Sequence, residues 1–407
     1  MENPKIRFKG FTKDWEQRKL RECAEFNPKS ELPDVFEYID LESVVGTNIL
    51  SHRTESKSSA PSRAQRLAQK GDVFYQTVRP YQKNNCIFEK NDNNWVFSTG
   101  YAQLRPVNDS YFLLTLLQNE DFVKLVLDRC TGTSYPAINS NDLADIDVNV
   151  PSDSKEQQQI GTYFKQLDHL ITLHQRKCEQ TKKLKKYMLQ KMFPQNGAKV
   201  PEIRFDGFTY DWEQRKLGAT NTFFTDGNYG EAYPKSSDMT DSGSGVPFLT
   251  GGNLKDGKLS LDGASYITPE KHSKLTSGHL LEDDIVIAVR GSLGALGYVN
   301  TDNSGWNINS QLAILRTDKS ELYGKFLIQY LLSWTGQNEL LKRQTGSALK
   351  QLPIGAIKDV EVPITSIAEQ EKIGEYFDSV DHLITLHQRK CDELKKMKKY
   401  MLQNMFI

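Results

Sequence analysis

Residues 156–193 read EQQQIGTYFKQLDHLITLHQRKCEQTKKLKKYMLQKMF, and residues 369–406 read EQEKIGEYFDSVDHLITLHQRKCDELKKMKKYMLQNMF. The two stretches are identical at 27 of 38 positions, at an offset of 213 residues. Neither contains proline, and apolar residues recur at alternating intervals of three and four, which is the heptad pattern of helices that pack through a seam. We therefore predict two long helices of about 57 Å each.

These two helices have the same seam, so they can bury it against each other. The seam positions expected to form the helix contacts, and to dock other subunits, are Phe164, Leu167, Ile171 and His174 in the first copy and Phe377, Val380, Ile384 and His387 in the second. We favour an antiparallel pair within one chain. A parallel pair and homodimerisation through the same seams remain open, because a whole domain connects the helices. Ser154 and Ser366 are the expected N-caps, each with a glutamine or glutamate three residues later.

A second repeat lies upstream of each helix. Residues 4–20 read PKIRFKGFTKDWEQRKL and residues 201–217 read PEIRFDGFTYDWEQRKL, identical at 14 of 17 positions. Each half of the chain thus has a near-constant lead segment and a near-constant helix. Between them lie two dissimilar blocks, 21–155 and 218–368. The pattern indicates two related modules that recognise two different things.

Each variable block is predicted to be mixed α/β. In the first, FEYIDL, DVFYQTV, NCIFEK and WVFSTGYAQL are expected strands, and YFLLTLLQNEDFVKLVLDRC one helix. In the second, VPFLTG, DIVIAV, GYVN and LAILRT are expected strands, and LYGKFLIQYLLSWTGQNELLKR one helix. Faint likenesses link the blocks, such as Gly71-Asp72-Val73-Phe74 with Asp283-Asp284-Ile285-Val286, and a Leu-Arg pair ending at Arg105 and Arg316. We expect domains at 1–155 and 201–368, with the helices 156–200 (including a linker) and 369–407 separate from them.

Charge is unevenly spread. The chain carries 52 basic and 52 acidic residues, yet block 21–155 has net charge −5 and block 218–368 net charge −3, which leaves +8 for the repeated segments. Basic residues cluster over 52–83 and over 176–191. Such clusters can neutralise phosphates. The lysine-rich helix end is equally consistent with a solvated terminus that complements the helix dipole.

Candidate nucleic-acid contacts are the basic cluster over 52–83 and polar residues of both blocks, some of which follow predicted strands or lie among aromatic residues. Arginine and glutamine are the side chains that form paired hydrogen bonds with guanine and adenine edges. In the first block the candidates are Arg53, Lys57, Arg63, Arg66, Gln76, Arg79, Tyr81 and Lys83. In the second they are Arg290, Ser292, Asn309, Gln311, Ser347 and Lys350. Any single one could be an ordinary exposed residue, so the prediction rests on the clusters.

Motifs for chemistry are missing from the sequence. It has no GxxxxGK[ST], no GxGxxG after a strand, no GxSxG and no kinase signature. The repeated histidine pairs His169/His174 and His382/His387 are spaced by five, which turns the rings apart on a helix, so we interpret them as structural and expect no metal. Five scattered cysteines, no apolar run long enough to span a membrane and no signal peptide favour a cytoplasmic protein. The missing catalytic motifs favour a protein that is not an enzyme.

The repeated motifs PxIRFxGFTxDWEQRKL and EQxxIGxYFxxxDHLITLHQRK, which bracket two dissimilar blocks, resemble the specificity (S, or HsdS) subunits of type I restriction-modification systems. The resemblance spans the whole chain. It implies that each block is a target-recognition domain that reads one half of a bipartite, asymmetric site in double-stranded DNA. It also implies that the helices set the spacer between the half-sites.

The same resemblance implies partners and cofactors. Two modification (M) subunits carrying S-adenosylmethionine would dock on the helices and methylate adenine. Two restriction (R) subunits would add cleavage driven by ATP with Mg²⁺. This chain itself would bind no cofactor. Two alternatives come from other classes. One is a coiled-coil scaffold whose blocks bind proteins and not DNA. The other is a self-sufficient methyltransferase that binds S-adenosylmethionine alone, which the missing motifs disfavour.

Overall fold

The computed structural model describes residues 3–195, 197–347 and 349–407. Contacts divide the chain into two compact units, one formed by residues 1–175 and 388–407 and the other by residues 176–387. This differs from the expected boundaries, which set each long helix apart from the domains. The reason is that each half-helix buries its apolar side against the neighbouring mixed α/β body, so each unit contains half of each long helix.

The helices are few and mostly short. They are α1 (Leu20–Cys23), α2 (Ser110–Gln118), α3 (Glu120–Leu127), α4 (Ser140–Ala144), α5 (Ser154–Lys191), α6 (Pro269–Lys274), α7 (Gly324–Leu332), α8 (Trp334–Leu341), α9 (Ile354–Lys358) and α10 (Ile367–Asn404). The two long helices predicted from the heptad pattern are α5 and α10, of 38 residues each. The first begins one residue earlier than expected, because the Asp153 side chain accepts from the Lys155 N–H at 2.9 Å.

The first unit contains twelve short strands among its described residues. They are β1 (Trp15–Lys19), β2 (Ala24–Phe26), β3 (Val35–Ile39), β4 (Val44–Val45), β5 (Asn48–Ile49), β6 (Arg53–Ser56), β7 (Ala64–Leu67), β8 (Val73–Gln76), β9 (Cys86–Ile87), β10 (Trp95–Ser98), β11 (Tyr101–Pro106) and β12 (Asp147–Pro151). They form sheets ordered β6-β3-β10-β7 and β2-β11-β8-β9, with the pairs β1-β12 and β4-β5. The expected strand WVFSTGYAQL is two strands, because the chain turns at Gly100.

Twelve strands also occur in the described part of the second unit. They are β13 (Glu213–Lys216), β14 (Phe223–Asp226), β15 (Met239–Thr240), β16 (Val246–Leu249), β17 (Leu254–Lys255), β18 (Gly257–Leu259), β19 (Ser265–Ile267), β20 (Ile285–Ala288), β21 (Leu296–Tyr298), β22 (Asn307–Ile308), β23 (Leu312–Arg316) and β24 (Glu361–Ile364). The sheets run β14-β23-β20-β21-β18-β17 and β15-β19-β16-β22, with the pair β13-β24. The predicted mixed α/β class is confirmed for both units.

The single helix predicted in each block is wrong, since both are broken in the middle. Asn119 is extended, with ψ 140°, and its side chain caps α3 by accepting from the Asp121 N–H. Ser333 does the same for α8 by accepting from the Gly336 N–H. These polar side chains offer the backbone a new helix start inside an otherwise apolar run.

Within each unit the half-helices pack antiparallel, which confirms the favoured orientation. In the first unit Phe164 of α5 packs against Phe406, and Asp168 pairs with Lys398 of α10 at 2.6 Å. In the second unit Lys185 of α5 pairs with Asp381 of α10 at 2.7 Å. Both ion pairs join equivalent positions of the repeat. The seams that could have served homodimerisation are therefore buried inside the chain.

The lead segments form hydrogen bonds with the ends of both long helices. In the first unit Arg7 forms two hydrogen bonds with the buried Glu156 at the start of α5, at 2.6 and 2.7 Å. The Ile6 N–H donates to the carbonyl of Asn404, the last residue of α10, at 2.9 Å. One short segment thus binds both helices at once.

Equivalent hydrogen bonds are present in the second unit. Arg204 bonds Glu369 at 2.6 and 2.8 Å, and the Ile203 N–H donates to the Lys191 carbonyl at 2.9 Å. Glu369, expected to belong to a capping box, is instead buried with this arginine. The near-identity of the lead segments is explained by this repeated structural contact.

A buried ion pair explains the faint likeness between the variable blocks. Asp72, 1% exposed, accepts from Arg105 of β11 at 2.9 and 3.0 Å. Asp284, fully buried, accepts from Nε and Nη2 of Arg316 of β23, each at 2.7 Å. Each aspartate lies just before a central strand and each arginine at the end of its neighbour. The shared residues therefore hold together the same sheet in both units.

Candidate nucleic-acid interface

A partly exposed arginine lies after the end of a central strand in the first unit. After β8 the chain passes through Arg79, whose backbone is left-handed at φ 54°, and the guanidinium lies 4.3 Å from the ring centre of Tyr135. Tyr135 is 63% exposed and belongs to a loop closed by a bridge between Thr131 and Ala137. We call Arg79, Tyr135 and loop 131–137 the first arginine corner.

The second unit has a matching arrangement built from different residues. Arg290 follows β20, donates from Nε to Gln351 Oε1 at 3.3 Å and lies 5.7 Å from the ring centre of Tyr229. A bridge between Thr345 and Gln351 closes the adjacent loop. We call Arg290, Tyr229 and the loop residues 345–347 and 349–351 the second arginine corner.

Both loops need glycine at one position. Gly132 has φ 86° and Gly346 has φ 89°, values that side chains rarely adopt. A Cβ on Gly346 would lie 2.4 Å from the carbonyl oxygen of Leu349. The sequence likeness between Thr131-Gly132-Thr133 and Thr345-Gly346-Ser347 thus marks one backbone shape.

These corners offer suitable chemistry for duplex DNA. An arginine at the surface can donate two hydrogen bonds to guanine or contact phosphate, and a ring beside it limits how the guanidinium moves. The second loop adds Ser347, Lys350 and Leu349, which is 81% exposed, while the first corner has the exposed Tyr81 nearby in sequence. The same scaffold therefore presents different side chains in each unit.

The other predicted residues near the second corner divide by burial. Ser292 and Gln311 are exposed, and the Gln311 carbonyl accepts from the Arg290 N–H at 3.3 Å. Asn309 is 4% exposed, and its side-chain oxygen accepts from the Gln311 N–H at 3.0 Å. Asn309 was expected to contact DNA, but its side chain supports the loop that carries Gln311.

Gln76 is likewise buried. It is 2% exposed, and its side-chain nitrogen donates to the Val78 carbonyl at 2.7 Å and to Gln82 at 2.8 Å. Its side chain braces the short turn after β8. These contacts give the Gln76 side chain a supporting role in the turn, and a contact with a base stays a prediction.

The basic cluster predicted over 52–83 does not form one patch. Arg53 on β6 and Arg66 on β7 lie on opposite edge strands of one four-stranded sheet, about 14 Å apart at ordinary strand spacing. Arg53 pairs with Asp40 and Glu55, at 2.8 and 2.7 Å. Part of the expected positive charge is therefore neutralised inside the unit or separated across the sheet.

The remaining basic candidates differ in availability. Lys57 and Arg63 are exposed. Lys83 pairs with Glu120 at 2.7 Å. Arg66 is half-buried, its Nε has no hydrogen-bond partner among the described residues, and burial lowers its pKa. Lys57 and Arg63 thus stay predictions as phosphate contacts, whereas Lys83 is partly neutralised.

Sequence reasoning missed Tyr135 and Tyr229, the rings beside the two arginines. Tyr135 was detectable, because it follows Thr-Gly-Thr in a loop that already carried a repeat signal. Tyr229 lies about sixty residues before Arg290, and nothing in the sequence links them. Only the fold brings that pair together.

The seam residues expected to dock another subunit are enclosed by this chain. Phe164, Leu167, Ile171, Phe377 and Val380 are each 8% exposed or less, and Ile384, His174 and His387 are half-buried. A partner would reach the helices at exposed flanks. In each unit, one flank of the helices carries apolar residues at heptad positions next to the seam: Leu170, Met397 and Tyr400 in the first unit, and Leu184, Tyr187 and Leu383 in the second. We call this the apolar flank.

Membrane-spanning helices and metal clusters are both missing from the part of the chain that the structure describes. No helix in ranges 3–195, 197–347 and 349–407 is long and apolar enough to cross a membrane. Within those ranges, no three histidine, cysteine, aspartate or glutamate side chains are grouped as a metal site would require.

Comparison with known proteins identifies the family. A sequence model described as the type I restriction modification DNA specificity domain matches residues 12–183 and 210–396. The chain belongs to this family. Each match covers about half of one lead segment, one variable block and most of one long helix, so the duplication found in the sequence is a duplication of this domain.

Individual proteins that are similar to this chain carry descriptions that agree with this family. A protein of Methanocaldococcus jannaschii described as the putative MjaX type I restriction enzyme specificity subunit is 26% identical over 345 residues, covering 82% of this chain and 76% of its own length. The solved S subunit of a type I system from M. genitalium has a TM-score of 0.66 at 16% identity, covering 100% of this chain and 99% of that one. A chain from a study of type I complex assembly and conformational transition has a TM-score of 0.53 at 23% identity, with 97% and 98% covered. The protein is a specificity subunit of the type I restriction-modification class.

Proposed function

We propose that each unit of this specificity subunit reads one half of a bipartite, asymmetric sequence in double-stranded DNA. The observation that carries the proposal is the pair of arginine corners. They occupy the same place on the same scaffold but present different side chains, as two readers of two different half-sites should. Arg79 and Arg290 are the main candidates for base contacts, and Tyr81, Gln311, Ser347 and Lys350 flank them.

Two copies of a modification subunit would dock on the helices. The apolar flank supports this, because it leaves large side chains 40–57% exposed at equivalent positions in both units. The repeat also gives two like partners two like surfaces. The similarity to a chain studied in the assembly of a type I complex favours the same kind of assembly.

Catalysis would reside in the partners. The modification subunits would hold S-adenosylmethionine and methylate an adenine in each half-site, and two restriction subunits would use ATP and Mg²⁺ for translocation and cleavage. This chain would bind no cofactor and perform no chemistry. Its long helices would fix the number of unspecified base pairs between the half-sites.

A methylome tests the proposal directly. The chain is co-expressed with a compatible modification subunit in a host without other adenine methylation, and modified bases are read by sequencing. We expect one bipartite motif, methylated on opposite strands across a fixed gap. Co-purification of the two proteins without any motif would contradict DNA reading and favour a scaffold that binds proteins.

A further inference from the structure

A groove in the first unit is lined by lysines from two parts of the chain. Lys83 comes from the variable block, and Lys395, Lys398 and Lys399 come from α10, with Glu120 among the other lining residues. Its volume is about 240 Å³. The groove lies between the first variable block and α10. Lys395 and Lys399 occupy heptad positions on one side of the seam of α10, whereas Met397 and Tyr400 of the apolar flank lie on the opposite side.

Charge in this groove is only partly neutralised. Lys83 pairs with Glu120 at 2.7 Å, and Lys398 pairs with Asp168 at 2.6 Å. Lys395 and Lys399 are exposed, and neither takes part in an ion pair with the described residues. Two positive charges therefore remain at its surface.

The groove continues from the first arginine corner. Arg79 and Lys83 flank a single short turn of 3₁₀-helix, Pro80–Gln82, which contains Tyr81. Gln82 lines a neighbouring cavity of about 290 Å³ together with Thr172 and Gln175 of α5. A polar track thus leads from the corner to the helix pair within one unit.

The second unit repeats the main features with a different lysine from its block. Lys182 and Lys186 of α5 are exposed and stand at the positions equivalent to Lys395 and Lys399. Lys258 of β18 donates to Thr385 Oγ1 of α10 at 2.6 Å, and Thr385 is the equivalent of Thr172. We call Lys182, Lys186, Lys395 and Lys399 the basic flank.

We propose that the basic flank binds the phosphodiester backbone of duplex DNA next to each half-site, independently of sequence. Lysine suits this role as a mobile point charge without base preference. The track from the arginine corner gives the backbone a route from the bases that are read to the helices. This inference rests on the proposed function and deepens it, since it gives the helices a contact with the DNA backbone outside the bases that are recognised.

The test uses the full-length chain and a random-sequence duplex of about 30 bp, with affinity measured by fluorescence anisotropy between about 0.05 and 0.2 M KCl. Replacing Lys395→Gln and Lys399→Gln together should reduce the salt slope of log Kd by about 0.9 for each phosphate that the variant no longer neutralises. Affinity near 0.1 M KCl should fall about tenfold or more.

A matched control removes the same charge elsewhere on the same helices. Lys183 and Lys396 are exposed and lie at the outermost heptad position, away from both flanks. The Lys183→Gln, Lys396→Gln variant should bind the duplex almost as tightly as the parent chain. An equal loss of DNA affinity in the two variants would mean that net charge alone explains the effect, and it would overturn the inference.

A second measurement separates this inference from the proposed function. Once a methylome supplies the target, uncharged methylphosphonate linkages are placed beside one half-site. They should weaken binding by the parent chain but have little further effect on Lys395→Gln, Lys399→Gln. A clear motif with equal methylphosphonate effects in both proteins would refute the basic flank alone, whereas the absence of any motif would refute DNA reading itself.

Discussion

At the scale of single residues, burial separates the predicted DNA contacts into exposed and enclosed side chains. Arg79 and Arg290 were expected at an interface and lie at the surface beside tyrosine rings. Gln76 and Asn309 have equally suitable side chains but are buried. Residue type and a position after a strand select exposed and buried side chains alike. Sequence alone does not say whether a polar side chain turns outwards or supports its own loop.

The buried aspartates carry a stability prediction. Asp72 accepts from the Gln69 N–H, from Gln103 and from Arg105, so Asp72→Ala would leave a partly buried guanidinium and a loop N–H without their acceptor. We expect the free energy of unfolding to fall by about 3–5 kcal/mol, measured by urea denaturation. Asp92→Ala, at an exposed position, should change stability by no more than about 0.5 kcal/mol. A change as small as that at Asp72 would contradict the role given to the ion pair.

At the scale of elements, periodicity predicts long features well and interruptions poorly. The heptad pattern predicted α5 and α10 almost to the residue, since every turn repeats the same signal. The breaks at Asn119 and Ser333 were missed, because the flanking residues are apolar and helix-forming on both sides. Their polar side chains act as caps only when the fold allows the chain to turn there. The heptad pattern also could not predict that each long helix is divided between two units, because it indicates one continuous seam.

The apolar flank carries a prediction about assembly. Leu170 and Met397 are 40% and 48% exposed in the first unit. Replacing both with glutamate should weaken binding of a modification subunit about tenfold or more, because charges would replace apolar contact area. Binding is measured by titration of purified partners. Leu125→Glu, at a 45% exposed position of α3, is the control and should leave affinity unchanged. Equal affinity for the Leu170, Met397 variant would place docking elsewhere.

At the scale of the whole molecule, the duplication was readable from the sequence alone. The repeats at 4–20 and 201–217 and at 156–193 and 369–406 bracket the variable blocks, and the described strands and helices follow the same plan in both units. The candidate DNA contacts within each block were only partly predictable. Their positions depend on loops such as 131–137 and 345–351, whose partners lie far away in sequence.

A block exchange tests the independence of the units. Replacing residues 21–155 with the matching block of another family member should change one half of the methylated motif and leave the other half and the gap unaltered. The reciprocal exchange of 218–368 should change only the other half. Modified-base sequencing measures both. Simultaneous change of both halves after one exchange would show that the blocks do not read separately.

The burial of Met405 and Phe406 has a consequence for synthesis. These residues are 1% and 7% exposed, in the core that also holds Trp15 and Phe112 of the first unit. At about 5–20 residues per second, a ribosome that has translated Phe112 needs tens of seconds more to reach Met405 and Phe406. The first unit therefore waits, incomplete, until the second block and α10 have been made. A message broken before those codons would release a chain with an open core, which cellular proteases remove readily. The fold therefore favours the survival of chains that carry both variable blocks.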